Sequence, residues 1–591
     1  MIKNFPEVDV LVIGMGWTGG IASKELSEAG LTVVALERGA PRTPEEDFSV
    51  PHIRDELEYH SRTGLAQDVK KDTVTVRNRI DEKALPMRKL GSFTPGDGLG
   101  GAGVHWNGQT WRWTDMEFKI RSLYEERYGK AFIPKDMTIQ DWGVSYSELE
   151  PFYEKFEKTA GVSGKAGNLN GQIQAGGNPY EAIRKSDYPL PPLNSSLAND
   201  MFSSAATNMG YHPFPMPAAN ASRAYTNPDG AQLGQCQYCG FCEKYGCEAN
   251  AKGSPLITVI PFALKQSTFE LRTNSWVTEI KMDKSKKRVT GAVYTNLLTG
   301  EECFQPAKLV ILSGYVFTNT HLMLSSGIGA PYDPVTQKGV VGKNYAYQTG
   351  ANATLFFEDK IFNPFMATGG LLTVMDDFHS NWEFDRTSTG FVGGTTIFGG
   401  MFHGRPLEYH PVNPGTPSWG TAWKESMSKW YLRSMRISSN GSVMANRYNY
   451  LDLDPNYKNA FGKPLLRMTF DYKPNEHKLS TFSSQTIDKL GKSLNPKQMT
   501  APAPRVTPWS SSVYQSTHNT GGTIIGTNPS NSVVNKYGQS WDAHNLFIMG
   551  ASLFPHNSAY NPTGPAAALA YWTVAAIKNT YLKNPGKLIS V

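Results

Sequence analysis

Four of the chain's five cysteines, Cys236, Cys239, Cys242 and Cys247, fall within twelve residues as C-x2-C-x2-C-x4-C. A disulfide framework spreads its cysteines to tie distant segments together. Thiolates gathered in one short run are instead soft ligands for an iron–sulfur cluster or for zinc. Zinc sites more often show two separated C-x-x-C pairs or include histidine, and no histidine lies close to this run. The first three cysteines match a ferredoxin-like opening and the fourth is displaced from it, so the pattern reads as a cluster ahead of zinc. Cys303 stands alone and reads as structural.

Two of the twelve histidines sit in contexts that single them out. His518 opens His518-Asn519-Thr520-Gly521-Gly522-Thr523, upstream of Gly550-Ala551-Ser552 and of Pro555 to Thr563. Oxidising an alcohol removes a hydride from carbon and a proton from oxygen, and a neutral imidazole can take the proton. Asn561, with an amide donor and acceptor, can hold the same oxygen. A single histidine is more often a packing or surface residue, so motif context carries this assignment. His105, followed by Trp106, ends the turn Gly98 to Gly108 (GLGGAGVHWNG), whose Gly100 and Gly101 let backbone approach a flat ring closely. The plain alternative is a surface loop, although WNGQTWRW is rich in tryptophan for one.

These groups need elements to place them. Val8 to Ile13 reads as a buried strand running into Gly14-Met15-Gly16-Trp17-Thr18-Gly19, a G-x-G-x-x-G fingerprint. A helical pattern follows, with Ile21, Ala22, Leu26 and Ala29 on one face and Gly30 as its C-cap. Leu31 to Leu36 is the next strand and ends in Glu37. Gly14, Gly16 and Gly19 allow a pyrophosphate close to the helix N-terminus, and Glu37 accepts from ribose hydroxyls. A lone fingerprint is a weak signal, but strand, turn, helix, strand and acid here occur in order. Near the other end, Asn545 to Met549 reads as a buried strand, and Gly564 to Asn579 as an apolar helix with Thr563 as N-cap and Pro565 in its first turn.

With these motifs in hand, the chain resembles the glucose–methanol–choline oxidoreductases, FAD-dependent alcohol dehydrogenases and oxidases. The fingerprint, GLGGAGVHWNG, the Asn274 to Ile280 strand, Leu309 to Gly329 and the last eighty or so residues carry the likeness. It implies His518 as active-site base beside Asn561. It implies FAD held by Gly14, Gly16, Glu37, Gly100, Gly101, Trp106, Val277, Gly550, Ala551, Asn561, Pro562 and Thr563. Some relatives with a similar G-x-x-x-H-W pattern carry FAD covalently, which implies attachment through His105. Within the family, GMGWTGGIASKEL, VVALERG, YEERYGKAFIPKDMTIQDWGVSYSELEPFY and CQYCGFC resemble the flavoproteins of membrane-bound gluconate dehydrogenases and their sugar-acid and polyol relatives. That likeness implies gluconate oxidised to 2-ketogluconate, with 2-ketogluconate, fructose, sorbitol, glucose or a glycoside as other substrates. It also implies a [3Fe-4S] cluster that leaves one of the four cysteines uncoordinated, a small Tat-exported subunit, a multihaem cytochrome c, and a place on the periplasmic side of the bacterial inner membrane. A peroxide-forming oxidase and a zinc-stabilised non-catalytic binding protein are the competing functions.

At 591 residues the chain exceeds one hydrophobic core. Its 39% hydrophobic and 12% aromatic content argue against disorder. A net charge of +6 with no basic run excludes an electrostatic nucleic-acid binder. The longest apolar stretch, Ala566 to Ile577, is too short to span a bilayer, and the first apolar residues belong to a strand rather than a signal peptide. The expected plan is α/β (α+β): a Rossmann-like FAD domain from 1–117, 224–343 (with the 236–247 iron–sulfur segment) and 505–591. Segments 118–223 and 344–504 form a discontinuous substrate domain. Stretches such as Ala351 to Phe357 and Leu465 to Tyr472 suit an antiparallel sheet covering the flavin.

Overall fold

The computed structural model describes residues 2–48, 65–88, 93–401, 409–513 and 516–590. Val8–Ile13 (β1) leads through Gly14 into the helix Trp17–Glu28 (α1), and Val33–Leu36 (β2) follows. The helix ends at Ala29, with Gly30 at φ +85° in the left-handed conformation that closes so many helices. The chain returns to this sheet as Phe269–Arg272 (β3), Ser275–Met282 (β4), Val289–Asn296 (β5) and Glu302–Leu312 (β6), then the helix Val316–Ser325 (α2). Leu546–Ile548 (β7) and the helix Thr563–Asn579 (α3) complete it.

The parallel core has the order β3-β2-β1-β6-β7. β6 serves two partners. Its half from Ala307 to Leu312 pairs in parallel with β1, while Glu302 to Pro306 pair antiparallel with β5, which pairs in turn with β4. Burial follows that division: the outer half alternates and the last four residues are all buried, as two-sided cover requires. Alternation along β1 sends Val10 and Val12 against α1 and α3, and Leu11 and Ile13 into the core on the opposite face.

A second sheet has six strands, all antiparallel, in the order Gln498–Met499, Asn352–Phe356, Ser434–Gly441, Thr395–Gly400, Leu372–Phe378 and Pro213–Pro215. The helix Pro474–Ser493 packs Ile487 and Leu490 against Ala353, Leu355, Met435 and Ile437 on its outer face. The α/β plan with an antiparallel substrate sheet therefore stands. Two local expectations are corrected. Pro464–Thr469 does not join the large sheet; it pairs antiparallel with Tyr450–Lys458 and in parallel with Thr75–Arg77. A non-local partner of this kind leaves no trace in local periodicity. Thr563 is the first residue of α3 rather than its cap, and Pro562 holds the cap position with no side-chain hydrogen bond.

Candidate active site

The C-terminal ends of β1, β2 and β6, the Gly98–Gly108 turn and one face of the six-stranded sheet enclose a cavity of about 830 Å³. Gly14, Gly16, Glu37, Gly101, His105, Trp106, Val277, His518, Gly550, Ala551, Asn561, Pro562 and Thr563 all line it. Gly19 and Gly100 stand behind the wall. A Cβ on Gly19 would lie 1.9 Å from the Gly14 carbonyl oxygen, so this glycine lets helix and turn close on each other. Gly100, at φ +89°, donates its N–H to the Met15 carbonyl at 3.0 Å and joins the two glycine turns.

Gly16 caps α1 without a side-chain hydrogen bond, and a Cβ there would meet nothing nearer than the Gly100 oxygen at 3.9 Å. The space above the helix N-terminus is open because this position has no side chain. Helix N-termini present N–H groups and partial positive charge, which suits a pyrophosphate. Glu37 accepts from the N–H of Met15 and of Gly39, both at 2.9 Å, which leaves carboxylate lone pairs for ribose hydroxyls. Its burial pushes its pKa up, opposed by those two N–H groups.

The reacting end is decided by donor and acceptor chemistry. The Ser558 carbonyl can only accept, so the Gln348 amide nitrogen, 3.3 Å away, faces it. The Gln348 oxygen therefore faces His518 Nδ1 at 2.6 Å and makes that nitrogen the protonated one. On the other side the Trp111 indole can only donate, and it donates to Asn561 Oδ1 at 2.9 Å. That turns Asn561 Nδ2 to His518 Nε2, which is unprotonated and accepts from it at 3.1 Å. Burial pushes the His518 pKa down to about 4, with the Glu243 carboxylate opposing, so the ring is neutral at ordinary pH. His518 and Asn561 thus present one lone pair and one amide donor side by side.

Trp111 is held in turn by its own segment. Trp111 and Trp113 point to Asn561, whose backbone oxygen accepts from Trp113 Nε1 at 3.3 Å. Arg112, between them, forks onto Glu157 with two bonds of 2.8 Å and reaches Glu150 at 3.0 Å, all buried. Neither Gln348 nor Trp111 was singled out by sequence. The tryptophan-rich stretch was noticed, but Gln348 lies 170 residues from His518 in no motif.

The N-terminal GMC oxidoreductase model matches residues 192–349 and the C-terminal one residues 445–570. A gluconate 2-dehydrogenase flavoprotein from Pantoea cypripedii is 46% identical over 99% of this chain and 96% of its own length. The chain belongs to the GMC oxidoreductases. The fructose dehydrogenase large subunit of Gluconobacter japonicus is 23% identical over 97% of the chain and 98% of its own length. Among solved structures, a variant of formate oxidase from Aspergillus oryzae superposes over 98% of the chain and 99% of its own, with a TM-score of 0.57 and 14% identity, a likeness of fold.

As a GMC oxidoreductase the protein is an FAD-dependent enzyme, and the cavity fits that cofactor. Gly16 leaves a cradle that a side chain would fill, both helix ends facing it lack side-chain caps, and His105 is buried with Nε2 unpartnered among the described residues. Burial and the nearby Lys252 push the His105 pKa down to about 4.

The cysteine run lies directly behind His105. Lys244 donates its N–H to the His105 carbonyl at 2.7 Å, and Lys252 Nζ bridges the carbonyls of Trp106, Cys242 and Tyr245 at 2.6, 2.8 and 2.7 Å. The four thiols are neighbours: burial, then Cys242, Cys247 and Cys239, hold the Cys236 proton tightly. Among the described residues no three His, Cys, Asp or Glu side chains converge to hold a single metal ion.

Proposed function

We propose that this GMC oxidoreductase is a dehydrogenase of sugar acids, oxidising gluconate to 2-ketogluconate, with electrons leaving through an iron–sulfur cluster to a cytochrome c. The fixed tautomer of His518 carries the chemical part of this reading: an unprotonated Nε2 beside an amide donor matches a substrate hydroxyl, which must lose a proton and be held at oxygen. The substrate follows the Pantoea cypripedii relative named as a gluconate 2-dehydrogenase.

Bound FAD supplies the acceptor for the hydride. Everything else falls to the chain. Asn561 Nδ2 supports the alcohol oxygen, His518 Nε2 takes its proton, and Gln348 stabilises the resulting imidazolium at Nδ1. His105, with an unpartnered ring nitrogen in the cavity wall, is the proposed point of covalent FAD attachment. Three of Cys236, Cys239, Cys242 and Cys247 supply the ligands of a cluster of the [3Fe-4S] kind. A signal-bearing small subunit and a multihaem cytochrome c complete the complex on the periplasmic side of the inner membrane. The relative named as a large subunit supports a multi-subunit assembly. Among the described residues no helix is long and apolar enough to cross a membrane, so membrane contact is assigned to a partner.

The test is anaerobic reduction of the flavin by gluconate. His518→Ala should slow it by roughly 10²–10⁴-fold, the usual worth of a positioned base. An unchanged rate would show that another group takes the proton. Acid precipitation should leave FAD with wild-type protein and release it from His105→Ala.

A further inference from the structure

The cavity wall formed by the six-stranded sheet carries charge that proton transfer does not use. Along Ser434–Gly441, alternation sends Met435 and Ile437 into the core under the helix Pro474–Ser493, and turns Arg436, Ser438 and Asn440 to the cavity. Arg436 is paired with Gly400 on one neighbouring strand and with Thr354 on the other. Arg505, from the segment after Gln498–Met499, lines the same wall and is close enough for its charge to act on Arg436. Arg436, Arg505, His518 and Asn561 all line this one cavity.

Two guanidiniums in the wall of one partly desolvated cavity favour an anion there over a neutral polyol. Lys244 and Glu243 also line the cavity. Guanidinium forks bind carboxylates with two parallel bonds, which fixes orientation as well as charge.

We propose that Arg436 and Arg505 form a carboxylate-binding subsite that selects an acidic substrate, holding the acid group of a sugar acid while His518 and Asn561 address one of its hydroxyls. The subsite rests on the sugar-acid reading above. It makes the acid group, rather than the hydroxyl pattern, the main discriminator between an aldonate and the matching polyol.

Gluconate and glucitol are compared by anaerobic flavin reduction and, for binding alone, by the change each causes in the flavin absorption spectrum. Arg436→Gln and Arg505→Gln should each raise the half-saturating gluconate concentration by about 10- to 100-fold, the usual loss for a hydrogen bond to a charged group. Glucitol should shift much less, with flavin content and thermal unfolding unchanged. Arg505 is partly exposed on a loop, so its variant decides the matter if Arg436→Gln does not fold. Gluconate that reduces wild type and both variants with the same half-saturation overturns the subsite and leaves the dehydrogenase reading intact. Gluconate that binds wild type, binds the variants weakly and reduces neither keeps the subsite and overturns the reaction. Gluconate that neither binds nor reduces wild type overturns both.

Discussion

Which nitrogen of His518 is unprotonated depends on Gln348, bonded to Nδ1, and on Trp111, which orients Asn561. Replacing Gln348 with Leu removes the acceptor at Nδ1, leaves that N–H unsatisfied and frees the ring to hold its proton on Nε2. Flavin reduction should fall by about 10- to 100-fold, as when a positioned proton acceptor is lost in part. Gln348→Glu keeps an acceptor but places negative charge beside the ring. A carboxylate favours the imidazolium, so the His518 proton affinity rises from its buried value of about 4. The base is competent only when neutral, so the rate falls as pH drops through its pKa, and the variant's acid limb should lie at higher pH than wild type's. Rate–pH profiles of the flavin reduction step check both; a Gln348→Leu enzyme with the wild-type rate and profile would remove Gln348 from the site. His518 and Asn561 were legible because each lies in a contiguous motif. Gln348 was not, since a glutamine acquires meaning only when folding brings the Ser558 carbonyl and the imidazole to its two ends.

At the scale of elements, the three glycines of the first turn have separable duties. Gly16 looks into open space, while Gly19 is pressed against the Gly14 oxygen. Gly16→Val should therefore fold with near-wild-type thermal stability yet purify largely without flavin, because its methyl groups occupy the cradle. Gly19→Val must push α1 away from β1, and overpacking of this kind costs roughly 1–3 kcal/mol or more. It should lower the unfolding midpoint even when compared with flavin-free protein. Full flavin retention in Gly16→Val, or equal stability of the two variants, would contradict this division. The strand–turn–helix–strand unit was readable because its signals are contiguous in the sequence, from Val8 to Glu37. The division of β6 was not: its apolar end and alternating start mark a strand, but pairing with β1, β5 and β7 is settled by segments far away in the chain. The same holds for Pro464–Thr469, whose parallel neighbour is Thr75–Arg77.

Across the whole molecule, the cavity and the cysteine run form one connected body. The Lys244 N–H on His105 and the Lys252 ammonium on Trp106, Cys242 and Tyr245 join the flavin-side turn to the thiols by main-chain contacts. On the far side the run meets the substrate sheet's approach, where Tyr238 and Gly240 bracket Ala367 by backbone hydrogen bonds of 3.1 and 2.8 Å. A loop tied on one side to the Gly98–Gly108 turn and on the other to the segment before Leu372–Phe378 suits the proposed relay and a structural clasp alike. Cys239→Ser separates the two. Cys239 is only partly buried, and serine keeps its size while giving up the soft ligand. If the thiols hold a cluster with Cys239 among its ligands, the variant should lose bound iron and its electron paramagnetic resonance signal, keep its flavin, and still be reduced by substrate, while reduction of a cytochrome c acceptor collapses. If the thiols only clasp the loop, the variant should lose stability and flavin together, and its folded fraction should reduce the cytochrome at the wild-type rate. Wild-type protein without iron would defeat the relay, because single electrons would then have no carrier between the cavity and the partner.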